Sequence, residues 1–470
     1  MSRAALSDLR ALVGPDALLT NPDATSPYLV DERRLFQGRA LAVALPASTA
    51  DLARIVGYCH AHGIPMVPQG GNTGYCGGAT PDTTGRALVI ALSRLCSIRR
   101  IDRVSGAMIV DAGLSLREAQ LAAERAHMFF PLSMGSELTS QIGGVLSTNA
   151  GGLAVLRYGT ARDLVLGLEV VLPDGRVLDQ LSALRKNNTG YDVKQWFIGA
   201  EGTLGIITAA ALRLFPWPTR RETALCAVRD LDAACAMLAG LRDALGDSVT
   251  SFEYFTADAL ALVLAHVPDV RSPFESDHRH YVLVEVSGGE AFDSLGEALQ
   301  AACARLQDEG IVQDGVIATS AAQRAAFWRL REQIPAGERA VGGSVKHDVS
   351  VEIAELPRLA TRARAAVEHA FPGCRFSVYG HVGDGNLHFN VLAPEGLDAD
   401  AFRHGQGPAI STAVHDAAVA LGGSFSAEHG VGQLKRDLLA QTKSPVALAL
   451  MRSLKQTLDP KGLMNPGKVL

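Results

Sequence analysis

Apolar positions in the first part of the chain switch repeatedly between the two-residue period of strands and the 3.6-residue period of helices. Leu41 to Leu45 reads as a strand, Ser48 to His62 as an amphipathic helix with Leu52, Ile55, Val56 and Cys59 on one face, and Ile64 to Pro68 as a strand. Together these predict a βαβ unit. Met108 to Asp111 reads as a further strand, and Ser115 with Glu118 forms a capping box that opens a helix through Ala119, Ala122 and Ala123. A glycine-rich stretch, Gly135 to Gly152, precedes strand-like runs at Gly167 to Leu172 and Gly205 to Leu214. Pro216 and Pro218 then mark a boundary. From Thr223 the order becomes strand (Thr223 to Val228), helix (Leu231 to Leu245), strand (Val249 to Phe255), strand (Tyr281 to Val286), helix (Ala291 to Glu309) and strand (Ile311 to Thr319). That is the β-α-β-β-α-β ferredoxin-like arrangement. The region from Ala325 to Ala427 carries a hairpin and further α+β elements of the same domain, and the chain holds no internal repeat or low-complexity tract.

Composition narrows the classes. A chain of 470 residues exceeds one hydrophobic core, and its 47% hydrophobic and 20% charged content is that of a folded globular protein. A net charge of -5 gives no basic footprint for nucleic acid or an anionic membrane. No apolar run reaches the length of a membrane span and the first residues lack an apolar signal region, so a cytoplasmic protein is expected. Seven cysteines without a C-x-x-C pair indicate neither a disulfide framework nor an iron–sulfur cluster, and most are expected to be small buried hydrophobes.

Candidate chemistry lies in two kinds of segment. In His381-Val382-Gly383-Asp384-Gly385-Asn386-Leu387-His388, the Asp-Gly pair predicts a two-residue type I′ hairpin turn. That register would pair His381 with His388, with Cβ atoms roughly 4.5–5.5 Å apart, a span on which two imidazoles can share a metal ion. An ordinary hairpin with two solvated histidines is equally compatible with this segment alone. Glycine-rich loops are the second kind. Pro68-Gln69-Gly70-Gly71-Asn72-Thr73-Gly74 follows a predicted strand, and its backbone N–H groups, with Asn72 and Thr73 as side-chain donors, suit a phosphate-bearing cofactor. It is neither a Rossmann fingerprint nor a P-loop. Two further small-residue clusters, from Gly135 to Gly152 and from Gly199 to Gly205, imply a long ligand such as a dinucleotide in close backbone contact.

These segments, with KNNTGYD (Lys186 to Asp192), GAEGTLGIIT (Gly199 to Thr208), HVGDGNLHFNV, EHGVGQLKRD (Glu428 to Asp437) and DPKGLMNPGKVL (Asp459 to Leu470), resemble the FAD-linked D-2-hydroxyacid dehydrogenases. Those proteins belong to the vanillyl-alcohol-oxidase-type flavoprotein superfamily. The resemblance runs from about Asp31 to the C-terminus. It implies an α+β fold with a vanillyl-alcohol-oxidase-type FAD-binding domain of two α+β subdomains (1–218), a ferredoxin-like substrate and metal domain (219–427), and a C-terminal segment (428–470) that returns to the flavin.

The resemblance also implies site residues. FAD would be held by Pro68, Gln69, Gly70, Gly71, Asn72, Thr73 and Gly74, by Gly135 and Ser136, by Ile142, Gly143 and Gly144, by Asn149, and by the segment from Glu201 and Gly202 to Ile206 and Ile207, with Asn465 near the flavin ring. Asn72 stands where covalent relatives often carry a histidine, so non-covalent FAD is expected. His381, His388 and Glu428 are implied metal ligands, a two-histidine, one-carboxylate set with an open position typical of catalytic zinc, with Mn²⁺ or Fe²⁺ as alternatives. His429 is the implied general base. Arg331 and Lys346 match positions that bind substrate carboxylate in the D-2-hydroxyglutarate branch, and Asn390, on the strand face of His388, would donate a hydrogen bond there. His347, beside Lys346, is expected to be exposed or to pack, with an effect on the pocket as the alternative. Pro335 departs from relatives that place a substrate-contacting threonine there, which leaves D-malate and D-lactate open beside D-2-hydroxyglutarate.

Two functional classes follow. One is a complete dehydrogenase that passes electrons to a separate acceptor such as an electron-transfer flavoprotein or a quinone. The other is a flavin-carrying relay subunit of a larger complex. The substrate clamp favours the first. A homodimer is the commonest assembly for such a chain.

Overall fold

A computed structural model describes residues 3–291 and 294–470. The chain divides into two compact units, Met1–Gly151 with Gly159–Trp217 and Glu428–Leu470, and Gly152–Tyr158 with Pro218–Ala427. The boundary at Trp217 falls between the two prolines that mark it in the sequence. Two details differ from the three-part expectation: residues 428–470 are built into the first unit, and the short piece Gly152–Tyr158 belongs to the second.

The first unit contains two sheets. In one, strands Ala42–Ala44, Leu88–Ala91 and Met66–Gln69 lie parallel in that spatial order, and Leu18–Leu19 pairs antiparallel with Ala42–Ala44. The two strands of the expected βαβ unit are therefore not neighbours, because the short apolar run Leu88–Ala91 lies between them. Their connecting helix, Thr49–His62, begins where Ser48 Oγ accepts from Asp51 N and ends at Gly63, whose φ of 64° suits glycine. Leu52, Ile55, Val56 and Cys59 form its buried face. The second sheet is antiparallel, in the order Ile98–Asp102, Ala107–Asp111, Ile206–Arg213, Val165–Val171, Val177–Gln180. The predicted capping box at Ser115 and Glu118 is present at the start of helix Leu116–Arg125.

The C-terminal segment is tied into the first of these sheets. Met464 forms a parallel bridge to Met66, and Asn465 N donates to Met66 O at 2.8 Å. Asp459, 2% exposed, accepts from Leu463 N and Met464 N, while Lys455 Nζ reaches Asp459, Thr203 O and Met464 O.

The second unit is a seven-stranded antiparallel sheet in the order Val312–Ile317, Arg220–Val228, His280–Gly288, Val249–Thr256, Arg375–Gly380, Asn386–Leu392, Val349–Ser350. Its first four strands have the ferredoxin-like order expected from the sequence. The remaining three extend that edge. The second ferredoxin helix spans Leu295–Asp308, and positions 292 and 293 of the expected helix lie outside the described residues. Alternation directs Phe252, Tyr254, Val378 and Phe389 to a face covered by helices Leu231–Leu245, Leu295–Asp308 and Leu356–Ala370. Phe255 and Tyr379 face the other way, towards helices Ala257–His266, Ala321–Glu332 and Ile334–Ala340. Among the described residues no helix is long and apolar enough to cross a membrane.

Asp459→Ala removes the acceptor of two buried N–H groups and the partner of Lys455. It is expected to destabilise the protein by about 3 kcal/mol, seen as a lower thermal unfolding midpoint of the flavin-free chain. An unchanged midpoint would show that the C-terminal segment does not depend on this anchor.

Candidate active site

In the first unit, the glycine-rich loops converge. A Cβ on Gly70 would touch Gln141 and Gly144, one on Gly71 would lie 1.9 Å from Thr139 O, and one on Gly202 would meet Pro68. The loop after Met66–Gln69, the segment before helix Ile142–Ser147 and the turn at Glu201 thus pack against one another, and at Gly71 only glycine permits the approach. Asn72, Asn149, Glu201 and Asn465 all have positive φ (54, 51, 51 and 45°), a conformation rare for residues with a Cβ. Each is one of the expected cofactor residues.

The Asn72 amide, expected as a donor to phosphate, is instead turned to the protein. Asn72 Nδ2 donates to Val30 O at 2.8 Å, and Asn149 Oδ1 accepts from Arg162 N and Thr160 Oγ1. Both amides hold their loops in place. Ile142 N and Gly143 N are taken by Leu114 O and Ala112 O, and Ile206 and Ile207 are buried strand residues. Gly74, Gly135 and Gly144, by contrast, would each meet nothing within 4 Å of an added Cβ. Ser140 Oγ, Gln141 Oε1 and Asn465 Oδ1 are buried polar atoms without a partner among the described residues. Open glycine backbone beside orphaned acceptors and donors fits a long polar cofactor.

His429 belongs to the same unit. Its ring lies 4.8 Å from that of Tyr75, which follows the first glycine loop. The next residues are pinned nearby: Cys76 Sγ donates to Gly430 O, and Glu201 accepts from Val431 N at 2.7 Å and Gly432 N at 2.8 Å. Burial pushes the Glu201 carboxyl above its ordinary range, and those two N–H groups oppose the shift.

In the second unit, the histidine hairpin has a different register. Strands Arg375–Gly380 and Asn386–Leu392 place Tyr379, not His381, opposite His388. His381 follows the strand, residues Val382–Asp384 form a 3₁₀ turn, and Gly385 takes the left-handed position with φ 84°. The two-residue turn is thus replaced by a wider one, closed by Asn386 N donating to His381 O. The imidazoles still meet, with ring centroids 5.5 Å apart, because His381 lies diagonally across from His388.

A buried carboxylate that the sequence reading missed fixes this pair. Glu253, 1% exposed in strand Val249–Thr256, lies 2.7 Å from His381 Nδ1 and 2.9 Å from Arg331 Nη2. Burial opposes its charge, but His381 and Arg331 outweigh burial and hold the carboxyl below its ordinary range. Donation from His381 Nδ1 to this carboxylate leaves the imidazole lone pair on Nε2, the nitrogen that would face a metal. Asp348, fully buried, lies 4.0 Å from His388 Nδ1 and accepts from Asn386 Nδ2 at 2.8 Å.

Tyr379 is the hub for the substrate candidates. Arg331 lies 4.6 Å over its ring, His388 is 5.0 Å away ring to ring, and Asn390 Nδ2 donates to its hydroxyl at 3.3 Å. Neither expected cation is unpaired. One arm of the Arg331 fork is taken by Glu253, leaving its buried Nε without a partner, and Lys346 Nζ is 2.7 Å from Glu338, itself fully buried. Asn390 differs from expectation because its amide is committed, Nδ2 to Glu338 and Tyr379 and Oδ1 to His347 N. It positions Glu338 and Tyr379. His347 is 2% exposed and held by Phe389 O and Ser411 Oγ, so it packs. Glu253 had a legible signal, a lone charge inside the apolar strand Ser251-Phe252-Glu253-Tyr254-Phe255.

Two family models cover most of the chain: an FAD binding domain over residues 40–180 and the C-terminal domain of FAD linked oxidases over residues 217–469. The chain belongs to the FAD-linked oxidase family. It is 38% identical over 473 residues to D-2-hydroxyglutarate dehydrogenase, mitochondrial, of Bos taurus, covering 98% of this chain and 83% of that one. It is 35% identical over 466 residues to D-2-hydroxyglutarate dehydrogenase of Stutzerimonas stutzeri, covering 99% and 98%. Among solved structures, alkyldihydroxyacetonephosphate synthase matches with a TM-score of 0.77 at 19% identity over 99% of this chain and 86% of that one. p-Cresol methylhydroxylase matches at 0.74 and 17% identity over 100% and 97%. As an FAD-linked oxidase of the vanillyl-alcohol-oxidase type of fold, the protein carries FAD in its first unit.

Gly144→Ala tests that cradle. The added methyl touches no protein atom within 4 Å, so the flavin-free chain should melt unchanged or slightly higher, while FAD affinity falls at least ~10-fold. Full FAD occupancy in the variant, read by flavin absorbance after gel filtration, would remove Gly144 from the cofactor site.

Proposed function

We propose that this FAD-linked oxidase is a D-2-hydroxyacid dehydrogenase, with D-2-hydroxyglutarate as its substrate, and that a divalent cation held by His381, His388 and Glu428 assists it. The observation that carries this reading is the side-chain set around Tyr379, where a backed pair of histidines stands with Arg331 and the Lys346–Glu338 pair on one face of the sheet. An electron relay needs a flavin but no such clamp. The names of the full-length relatives point to the same substrate.

The donor set suits a cation. His381 presents Nε2 because Glu253 holds Nδ1, and Glu428 follows Ala427, whose N–H is bonded to Asp348 O beside His388. Zinc is the first choice for two imidazoles and a carboxylate, with Mn²⁺ and Fe²⁺ acceptable. Such a cation would supply Lewis acidity at the substrate hydroxyl, and FAD would supply a hydride acceptor. His429 takes the hydroxyl proton on a ring nitrogen, a role suited to a neutral imidazole near physiological pH. Arg331 and Lys346 hold carboxylate, each retaining N–H donors beyond those used on its acid. The Tyr379 hydroxyl, on which Asn390 donates, adds a polar group to the same surface. The electrons leave to a separate acceptor such as an electron-transfer flavoprotein or a quinone.

Anaerobic flavin absorbance, followed on adding D-2-hydroxyglutarate, D-malate, D-lactate and their L-enantiomers, tests the reading. Bleaching should be fastest with D-2-hydroxyglutarate, fall on chelation and return with zinc. His429→Ala should slow bleaching by ~10²–10⁴-fold. A flavin that no 2-hydroxyacid bleaches would sink the dehydrogenase reading, and bleaching that survives complete metal removal would remove the cation.

A further inference from the structure

We propose that Glu253 is a positioning residue shared between the metal ligand His381 and the substrate clamp Arg331, so that the state of either partner sets the strength of the other. The inference rests on the cation reading above and extends it to a residue that touches neither substrate nor metal.

The geometry is that of one carboxylate with two claimants. Glu253 Oε1 is 2.7 Å from His381 Nδ1, and Oε2 is 2.9 Å from Arg331 Nη2. All three side chains are buried, at 1%, 7% and 6% exposure for Glu253, His381 and Arg331, so water does not replace either contact. Glu253 stands on a central strand, whereas His381 is in a turn and Arg331 is in the last turn of helix Ala321–Glu332. The central strand therefore carries the pin, His381 reaching it from a turn and Arg331 from the end of a helix. Arg331 is also stacked on Tyr379, while its Nε has no protein partner.

Sharing has a sign. A carboxylate behind a ligating imidazole raises the basicity of the coordinating nitrogen. A guanidinium on the same carboxylate withdraws part of that charge. Arg331 thus weakens the help that Glu253 gives His381, and a cation on His381 Nε2, by acidifying Nδ1–H, draws Glu253 towards the imidazole and loosens the guanidinium for an incoming carboxylate.

Zinc affinity, measured with zinc alone by competition against a chromophoric chelator on the FAD-loaded protein, separates this from a merely structural role. Glu253→Gln should weaken zinc by ~10–100-fold. Arg331→Met, which removes the competing cation, should tighten zinc several-fold although it also deletes a buried contact. Generalised damage would weaken binding in both variants, so opposite signs are the signature. If Glu253→Gln does not fold, by circular dichroism, the Arg331→Met result decides alone. Zinc affinities unchanged in a folded Glu253→Gln, or weaker in Arg331→Met, would overturn the inference while leaving the cation reading intact. A wild-type chain that binds no zinc, Mn²⁺ or Fe²⁺ at these histidines would overturn both.

Discussion

A carboxylate taken out of water without partners costs several kcal/mol, and the second unit buries three of them in its chemical face. Glu253, Glu338 and Asp348 are each at 1% exposure or below. Each is therefore obliged to bind something, and what they bind are the candidate site residues: His381 and Arg331 on Glu253, Lys346 and Asn390 on Glu338, Asn386 on Asp348 beside His388. Desolvation makes the pairing compulsory, and the pairing fixes the rotamers. Side chains that would otherwise sample many conformations are held where a small anion and a cation could be met together.

The first unit reaches preorganisation by a different route. Its candidate cofactor residues share an unusual backbone shape, with Asn72, Asn149, Glu201 and Asn465 held at positive φ. Such residues persist only where the surroundings over-determine them. Here the surroundings are visible: Asn72 is tied to Val30, Asn149 to Arg162, Glu201 to Val431 and Gly432, and Asn465 to Gly78 O and Glu201 O. Asn72 Nδ2, Asn149 Oδ1, the Glu201 carboxylate and Asn465 Nδ2 are taken up in shaping the loops, whereas Asn465 Oδ1 and the open glycines are not.

That contrast explains what could be read from the sequence. A glycine requirement is local, so the loop after Met66–Gln69 and the segment from Ile142 to Gly144 were legible from composition and spacing. The ferredoxin-like order was legible for a similar reason, since each element carries its own period. The insertion of Leu88–Ala91 between the two strands of the βαβ unit was not, because a four-residue apolar run says nothing about its neighbours. The hairpin was half legible. Asp384-Gly385 marks a turn, but the 3₁₀ turn Val382–Asp384 moved the register by two residues, and the histidines met only because a two-residue shift keeps side chains on the same face. Charge pairing is the non-local case. Nothing near Arg331 in the sequence announces Glu253, 78 positions away.

Pro335 shows how a local rule and a distant pairing combine. It lies in the first turn of helix Ile334–Ala340, where a missing N–H leaves no hydrogen bond unmade. The same helix carries Glu338 four residues after Ile334, facing inward with Lys346, Ser344 and Asn390 bonded to it. A proline-fixed start gives that short helix a defined first turn, and hence gives the buried carboxylate a defined position. In the dehydrogenase reading proposed above, discrimination among acids would rest on the Lys346 ammonium beside Glu338 and on the Tyr379 hydroxyl that Asn390 holds. Lys346 is the more exposed partner of that pair, 24% against 0% for Glu338, and keeps ammonium N–H donors beyond the one used on it.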